Sequence, residues 1–195
     1  MKNTILFLVT FSCLSNFALA QQDSLKTQQS NTFVQFKVGG GLYFLNNTQI
    51  TEVYRTNSFF IPTIGLELIG KNIGFYLDVA STLTANVNVD TVGAFRNPFN
   101  FRQTHINAGL LNRAKLNSNV FFRGKLGLSY MSTVESFFEI SDQGLAATIG
   151  AGLEFQVSSS SIYFVEMNYL YKRTRETGSL GGLNLTMGFK FGRIQ

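Results

Sequence analysis

The stretch that decides the fold is the last one, residues 181–192, reading GGLNLTMGFKFG. Leu183, Leu185, Met187, Phe189 and Phe191 share one face, and Asn184, Thr186, Gly188 and Lys190 the other, a period of two and therefore a strand. Glycine is a poor residue for an exposed position of a soluble sheet, because it adds backbone entropy and packs nothing. Here it shares a face with the amide and the charge. A narrow closed barrel turned inside out requires that arrangement, with small and polar groups crowded at the axis and bulky apolar ones facing lipid.

The same alternation recurs upstream. Phe33 to Leu45 sets Val34, Phe36, Val38, Leu42 and Phe44 against Gln35, Lys37, Gly39, Gly41 and Tyr43. A polar loop over 46–57 leads to a second strand over 60–68, with Pro62 near its start, where a missing donor matters least. A turn at Gly70-Lys71-Asn72 opens the third strand, 73–89, the longest regular run. A loop over 90–100 is marked by Gly93 and Asn97-Pro98. Strands over 102–111, 120–130, 145–157 and 163–172 follow, with turns expected at 112–119 and 158–161. The expectation is an all-β chain, an eight-stranded antiparallel up-and-down transmembrane β-barrel over 32–195. Its connections alternate, the longer ones near 46, 90, 135 and 173 facing outward and the short turns facing the periplasm with both termini.

The opening segment, MKNTILFLVTFSCLSNFALA, has Lys2, an apolar run from Ile5 to Phe11 and Ala18-Leu19-Ala20 before Gln21. It reads as a signal peptide over 1–20, since the apolar run is too short to span a bilayer as a helix. Residues 21–31, QQDSLKTQQSN, read as a flexible polar leader. The single cysteine, Cys13, falls inside the signal segment, and Phe11 before it argues against lipid attachment. The mature chain then has no disulfide scaffold and no thiolate metal site. Loss of Lys2 takes the 16 basic residues to 15 against 11 acidic, a net +4.

The chain resembles the small outer-membrane barrels of the OmpA and OmpX type, and more particularly the barrel domain of porin-family and PorT-like proteins. The resemblance covers Phe33 to Phe191 and rests on the strand pattern, with Phe189 and Phe191 as its best local part. It implies residence in the outer membrane of a Gram-negative cell and contact with outer-membrane lipid and lipopolysaccharide. It also implies handling by the barrel-assembly machinery, which reads a terminal aromatic residue in such barrels. Here Phe191 is followed by Gly192-Arg193-Ile194-Gln195.

The polar faces hold Lys37, Glu67, Asp78, Arg123, Lys125, Glu154, Glu166 and Lys190, four bases and four acids. Hairpin symmetry pairs Lys37 with Glu67 and Lys125 with Glu154, and brings Lys190 near Glu166. A lone charge in so narrow a lumen is costly, so balanced pairs are expected to form a closed polar plug. His105 is the only histidine and falls on the polar face, near Thr84 or Asn86 by symmetry, with no carboxylate of its hairpin in reach. A structural role is expected, since a catalytic base needs a positioned partner.

No metal, cofactor or catalytic residue is expected. Arg96, Arg102, Lys172, Arg173 and Arg175 collect at the outer ends, where guanidinium groups suit lipopolysaccharide phosphates. A protein partner at those loops is a further expectation. Nucleic acid is not expected, because the bases are split between the two ends. Gly39-Gly40-Gly41 lacks the helix and lysine of a phosphate loop. The function expected is a non-enzymatic membrane anchor or surface-interaction protein. The alternatives are a small-solute pore or secretion component, an outer-leaflet lipid enzyme, and a soluble lipocalin-like binder with its phenylalanines inside.

Overall fold

A computed structural model of the chain describes residues 32–54, 56–82, 85–87, 99–174 and 178–192. The expected signal peptide (1–20) and leader (21–31) lie outside them, as do Arg96 and Arg175. Eight strands form the wall: β1 (Phe33–Leu45), β2 (Ser58–Ile69), β3 (Ile73–Ser81), β4 (Phe99–Lys115), β5 (Val120–Glu135), β6 (Ile140–Gln156), β7 (Ser161–Tyr171) and β8 (Gly182–Gly192). Each pairs antiparallel with its sequence neighbours, and β1 pairs with β8, which closes the barrel. The chain enters at Phe33 and leaves at Gly192 on the same end, called here the near end.

A walk along register partners from Lys37 passes Gly65, Asp78, Asn107, Ser129 and Ala146, and returns to β1 about ten residues farther along. Such a stagger tilts the strands by roughly 40° to the barrel axis. Eight strands at that tilt leave an interior that side chains alone can fill.

The faces divide as the alternation requires. Lys37 and Lys190 are 0% exposed, whereas Leu126 is 63% and Leu145 69% exposed on the outside. In all, 33 large apolar side chains among the described residues are exposed. No soluble monomer leaves so continuous a belt in water, so the outer face is a lipid face. A lipocalin-like arrangement, with phenylalanines inside and charges in solvent, is the reverse of what is seen. No helix among the described residues is long and apolar enough to cross a membrane, so the strands do the crossing.

Several boundaries differ from the sequence reading. The third strand is the shortest of the eight, ending at Ser81 with a separate piece at Ala85–Val87. The fourth runs from Phe99 to Lys115, so the near-end turn after it is only 116–119. In sequence the alternation breaks at Leu111, where an apolar residue stands on the polar face. In the fold, Leu111 packs with Ile69, Tyr76 and Phe33 as an apolar floor at the near end. The connection between β5 and β6 is a tight turn over 136–139 rather than a long loop, with Glu139 at φ 55°.

The largest difference is the first far-end loop. Thr48–Tyr54 forms a short helix, α1. Asn47 caps it by accepting a hydrogen bond from the Ile50 amide at 3.0 Å, and donates from its own amide to the Ser179 carbonyl at 3.1 Å. Ile50 and Tyr54 turn down into the barrel mouth and join Tyr43, Leu45, Phe59, Ile61, Phe101, Met131, Leu170 and Leu180 in an apolar cap.

Candidate functional site: the ion-filled lumen

The alternation of each strand delivers nine ionic side chains to the near half of the lumen. They fall into two clusters. In the upper one, Asp78 Oδ2 accepts from Lys37 Nζ at 3.1 Å and Lys125 Nζ at 2.8 Å. Glu166 pairs with the same two lysines, with Lys125 at 3.1 Å. In the lower one, Glu154 takes Arg113 Nε at 2.7 Å, Arg123 Nη1 at 2.8 Å and Lys190 Nζ at 2.6 Å. Glu67 takes Arg123 Nη2 at 2.9 Å and Lys190 at 2.9 Å. Lys125, 3.8 Å from Glu67, links the two.

The expected pairs are not the ones formed. Lys37 stands opposite Gly65 and Lys125 opposite Gly150, while Glu166 faces Thr186, four residues from Lys190 along β8. The physical reason is the tilt: side chains of one lumen layer come from staggered positions, so partners lie diagonally or across the axis rather than directly opposite. Lys37 and Lys190 are themselves direct neighbours across the β1–β8 pair. Like charges so placed repel, and the two ammoniums diverge into different clusters, 4.9 Å and 5.2 Å from the ring of Phe164.

Arg113 is the member the sequence reading missed, because it fell in an expected turn. Its parity with His105, Asn107 and Gly109 was the available signal. Its guanidinium stacks 3.6 Å from the Phe121 ring centroid at the near end. With it the two clusters hold five bases and four acids.

Above the ions lies a neutral polar layer. His105 Nε2 and Gln103 Oε1 are 3.0 Å apart, the Gln103 amide donates to Thr133 Oγ1 at 2.9 Å, and Tyr43 packs edge-on to His105 at 5.0 Å. His105 stands opposite Ala80 and Met131, not Thr84 or Asn86, because the second far-end connection takes more of the third strand than of the fourth. It is fully buried. No group of three or more His, Cys, Asp or Glu among the described residues is placed to hold a metal.

At the far end Glu135 accepts from Tyr54 Oη at 2.5 Å and from the amides of Phe137 and Phe138, both at 2.7 Å. One carboxylate thus ties α1 to the β5–β6 turn. Burial first, then that carboxylate, push the Tyr54 hydroxyl above the ordinary phenol range. Of the bases expected at the surface, Arg102 and Arg173 are exposed, whereas Lys172 turns inward and pairs with Asp142. That pairing removes Lys172 from a lipid-contacting set.

A closed wall of eight antiparallel strands has solved counterparts. The chain folds as a small outer-membrane β-barrel. It superposes on Neisserial surface protein A with a TM-score of 0.61 and 14% identity, over 83% of this chain and 97% of that one. It superposes on the Pseudomonas aeruginosa outer membrane protein OprG at 0.54 and 9% identity, over 86% and 98%. The N-terminal β-barrel domain of P. aeruginosa OprF matches at 0.52 and 14%, over 85% and 99%. These likenesses establish the fold. No protein-family profile matches the sequence, and no curated protein matches it.

Proposed function

We propose that the protein is a closed, non-enzymatic barrel of the Gram-negative outer membrane, an anchor that presents its far-end connections at the cell surface. The observation that carries this reading is the filled lumen, stacked as an apolar floor, two ion clusters, a neutral polar layer and an apolar cap. An ion would have to displace buried pairs and then cross two apolar layers, each of which strips its hydration. Delivery by an N-terminal signal peptide and folding by the assembly machinery go with this reading, the near end being periplasmic. A solute pore or a secretion-system channel requires a lumen that opens. Planar-bilayer recording of the purified protein is expected to show no stable conductance, and a steady open level would overturn the proposal.

Surface contact is the second half of the reading. Arg102 and Arg173 lie at the far end, where lipopolysaccharide phosphates would meet them. Phe137 and Phe138 stand half exposed on a turn braced by Glu135, presented to a protein partner. Arg102→Gln with Arg173→Gln is expected to reduce the thermal stabilisation gained on adding lipopolysaccharide, and an unchanged gain removes that contact.

A further inference from the structure

Between the upper ion cluster and the apolar cap lies a polar cavity of about 10 Å³, bordered by Thr63, Tyr76, Asp78, Asn107, Glu166 and Asn184 among others. Four oxygens of these residues, Thr63 Oγ1, Asp78 Oδ1, Asn107 Oδ1 and Asn184 Oδ1, are buried and have no hydrogen-bond partner among the described residues. Thr63, Asp78 and Asn184 are each only 4% exposed. Residues of four strands that border this one small space thus carry unpaired oxygens. A desolvated acceptor left unmet is costly, and four such groups around one cavity define an occupant rather than a packing accident.

The occupant must donate hydrogen bonds or carry positive charge. A metal cation would suit the oxygens, but it would enter beside Lys37 and Lys125, whose ammoniums already engage Asp78 Oδ2 and Glu166. The two ion clusters beneath it already hold five bases to four acids. Like charge thus opposes a metal, whereas water adds none. Water also fits the space, since a hydration site needs on the order of 10–15 Å³ and two to four polar partners.

We propose that this cavity is an internal hydration site whose water donates to Asp78 Oδ1 and to an amide oxygen of Asn107 or Asn184, with the Thr63 hydroxyl completing the shell. It joins the ion clusters to the neutral layer, and the cap beneath α1 isolates it from the far-end solvent.

The test is solution NMR of the whole protein in phospholipid nanodiscs, recording water cross-peaks to the Asn107 and Asn184 side-chain amides and the Thr63 methyl group. The expected result is cross-peaks with the sign of a water resident for longer than about a nanosecond, unchanged when choline chloride replaces sodium chloride. They should vanish in Thr63→Val with Asn184→Leu, a variant first shown to keep its folded-barrel gel mobility; Asn184→Leu alone serves if the pair does not fold. Absence of cross-peaks in the native protein, or side-chain shifts that titrate with sodium, would overturn the site. Rapidly exchanging water would overturn it too. Conductance accompanied by slowly exchanging water would instead defeat the closed-barrel reading and leave the site standing.

Discussion

Glu154 is the carboxylate on which the lower cluster turns, and Glu154→Gln isolates its contribution. The side chain is fully buried, accepts hydrogen bonds from Arg113 at 2.7 Å and Lys190 at 2.6 Å, and pairs with the Arg123 guanidinium at 2.8 Å. The amide keeps one acceptor oxygen but takes away the charge, leaving Glu67 as the lower cluster's remaining carboxylate. Arg123 and Lys190 retain that partner; Arg113 has no other carboxylate among the described residues. Removing one side of a buried ion pair costs about 3–5 kcal/mol, because the remaining charge stays buried, and that is the loss expected here. The assay is guanidinium unfolding in phospholipid vesicles, followed by the mobility difference between folded and heated protein on gels. Removing the surplus cation as well, in Glu154→Gln with Arg113→Met, should recover about 2 kcal/mol or more of the loss as coupling energy. A loss below about 1 kcal/mol, or no recovery in the double variant, would refute the assignment of Glu154 as the shared counter-ion.

Four further outcomes follow from the same geometry. Leu126 and Ile149 are direct partners on the lipid face, and Leu126→Arg or Ile149→Arg should each cost about 2–4 kcal/mol in the same vesicle assay, the cost of a cation at the bilayer midplane. Gly65→Val would place a Cβ 2.1 Å from Asp78 Oδ1 and 2.9 Å from the Leu77 carbonyl; overpacking of this kind costs about 1–3 kcal/mol, read as a lower unfolding midpoint. Tyr54→Phe removes the hydrogen bond to Glu135, a contact to a charged group worth about 1.5–3 kcal/mol, and should speed hydrogen exchange at Ile50–Tyr54 while leaving the β1–β8 amides unchanged. Because the Tyr54 pKa is raised when α1 is docked, that docking is fully stable below the ordinary phenol value of about 10 and weakens as pH rises beyond it, which the same exchange measurement would register.

What the sequence made legible was whatever depends on alternation alone. Strands β1 and β8, the turn after Ile69 and the inside-out orientation follow from side chains two apart, and tertiary context does not alter which face a residue takes. Register is different, since it depends on how many residues each connection consumes. The second far-end connection draws on the third strand far more than on the fourth, which moved His105 from Thr84 to Ala80. The helix α1 was hidden for another reason. Ile50, Val53 and Tyr54 have helical spacing, but a seven-residue helix inside a twelve-residue polar stretch gives no sustained period. The inward face of that helix is defined only by the barrel mouth that receives it.

The glycines that first marked the fold also explain the rewired pairing. Three rows run across three adjacent strands with glycine in the middle: Lys37–Gly65–Asp78, Arg123–Gly152–Glu166 and Lys125–Gly150–Asn168. In each, a cation and an acceptor flank a position where a Cβ would collide, 2.1 Å from Asp78 Oδ1, 2.8 Å from the Glu166 Cβ and 2.0 Å from Asn168 Oδ1. The glycine clears the lumen between its two neighbours, so Lys37 reaches over it to Asp78 at 3.1 Å, and the other two cations extend to acids farther along the stagger. Slipping one strand by a single residue would turn its lumen-facing charges into lipid and its leucines into the lumen. A slip of two would keep the faces but set side chains where the glycines make room. The first error is opposed by hydrocarbon and the second by sterics, so the charged and small residues that share a face specify one register only together.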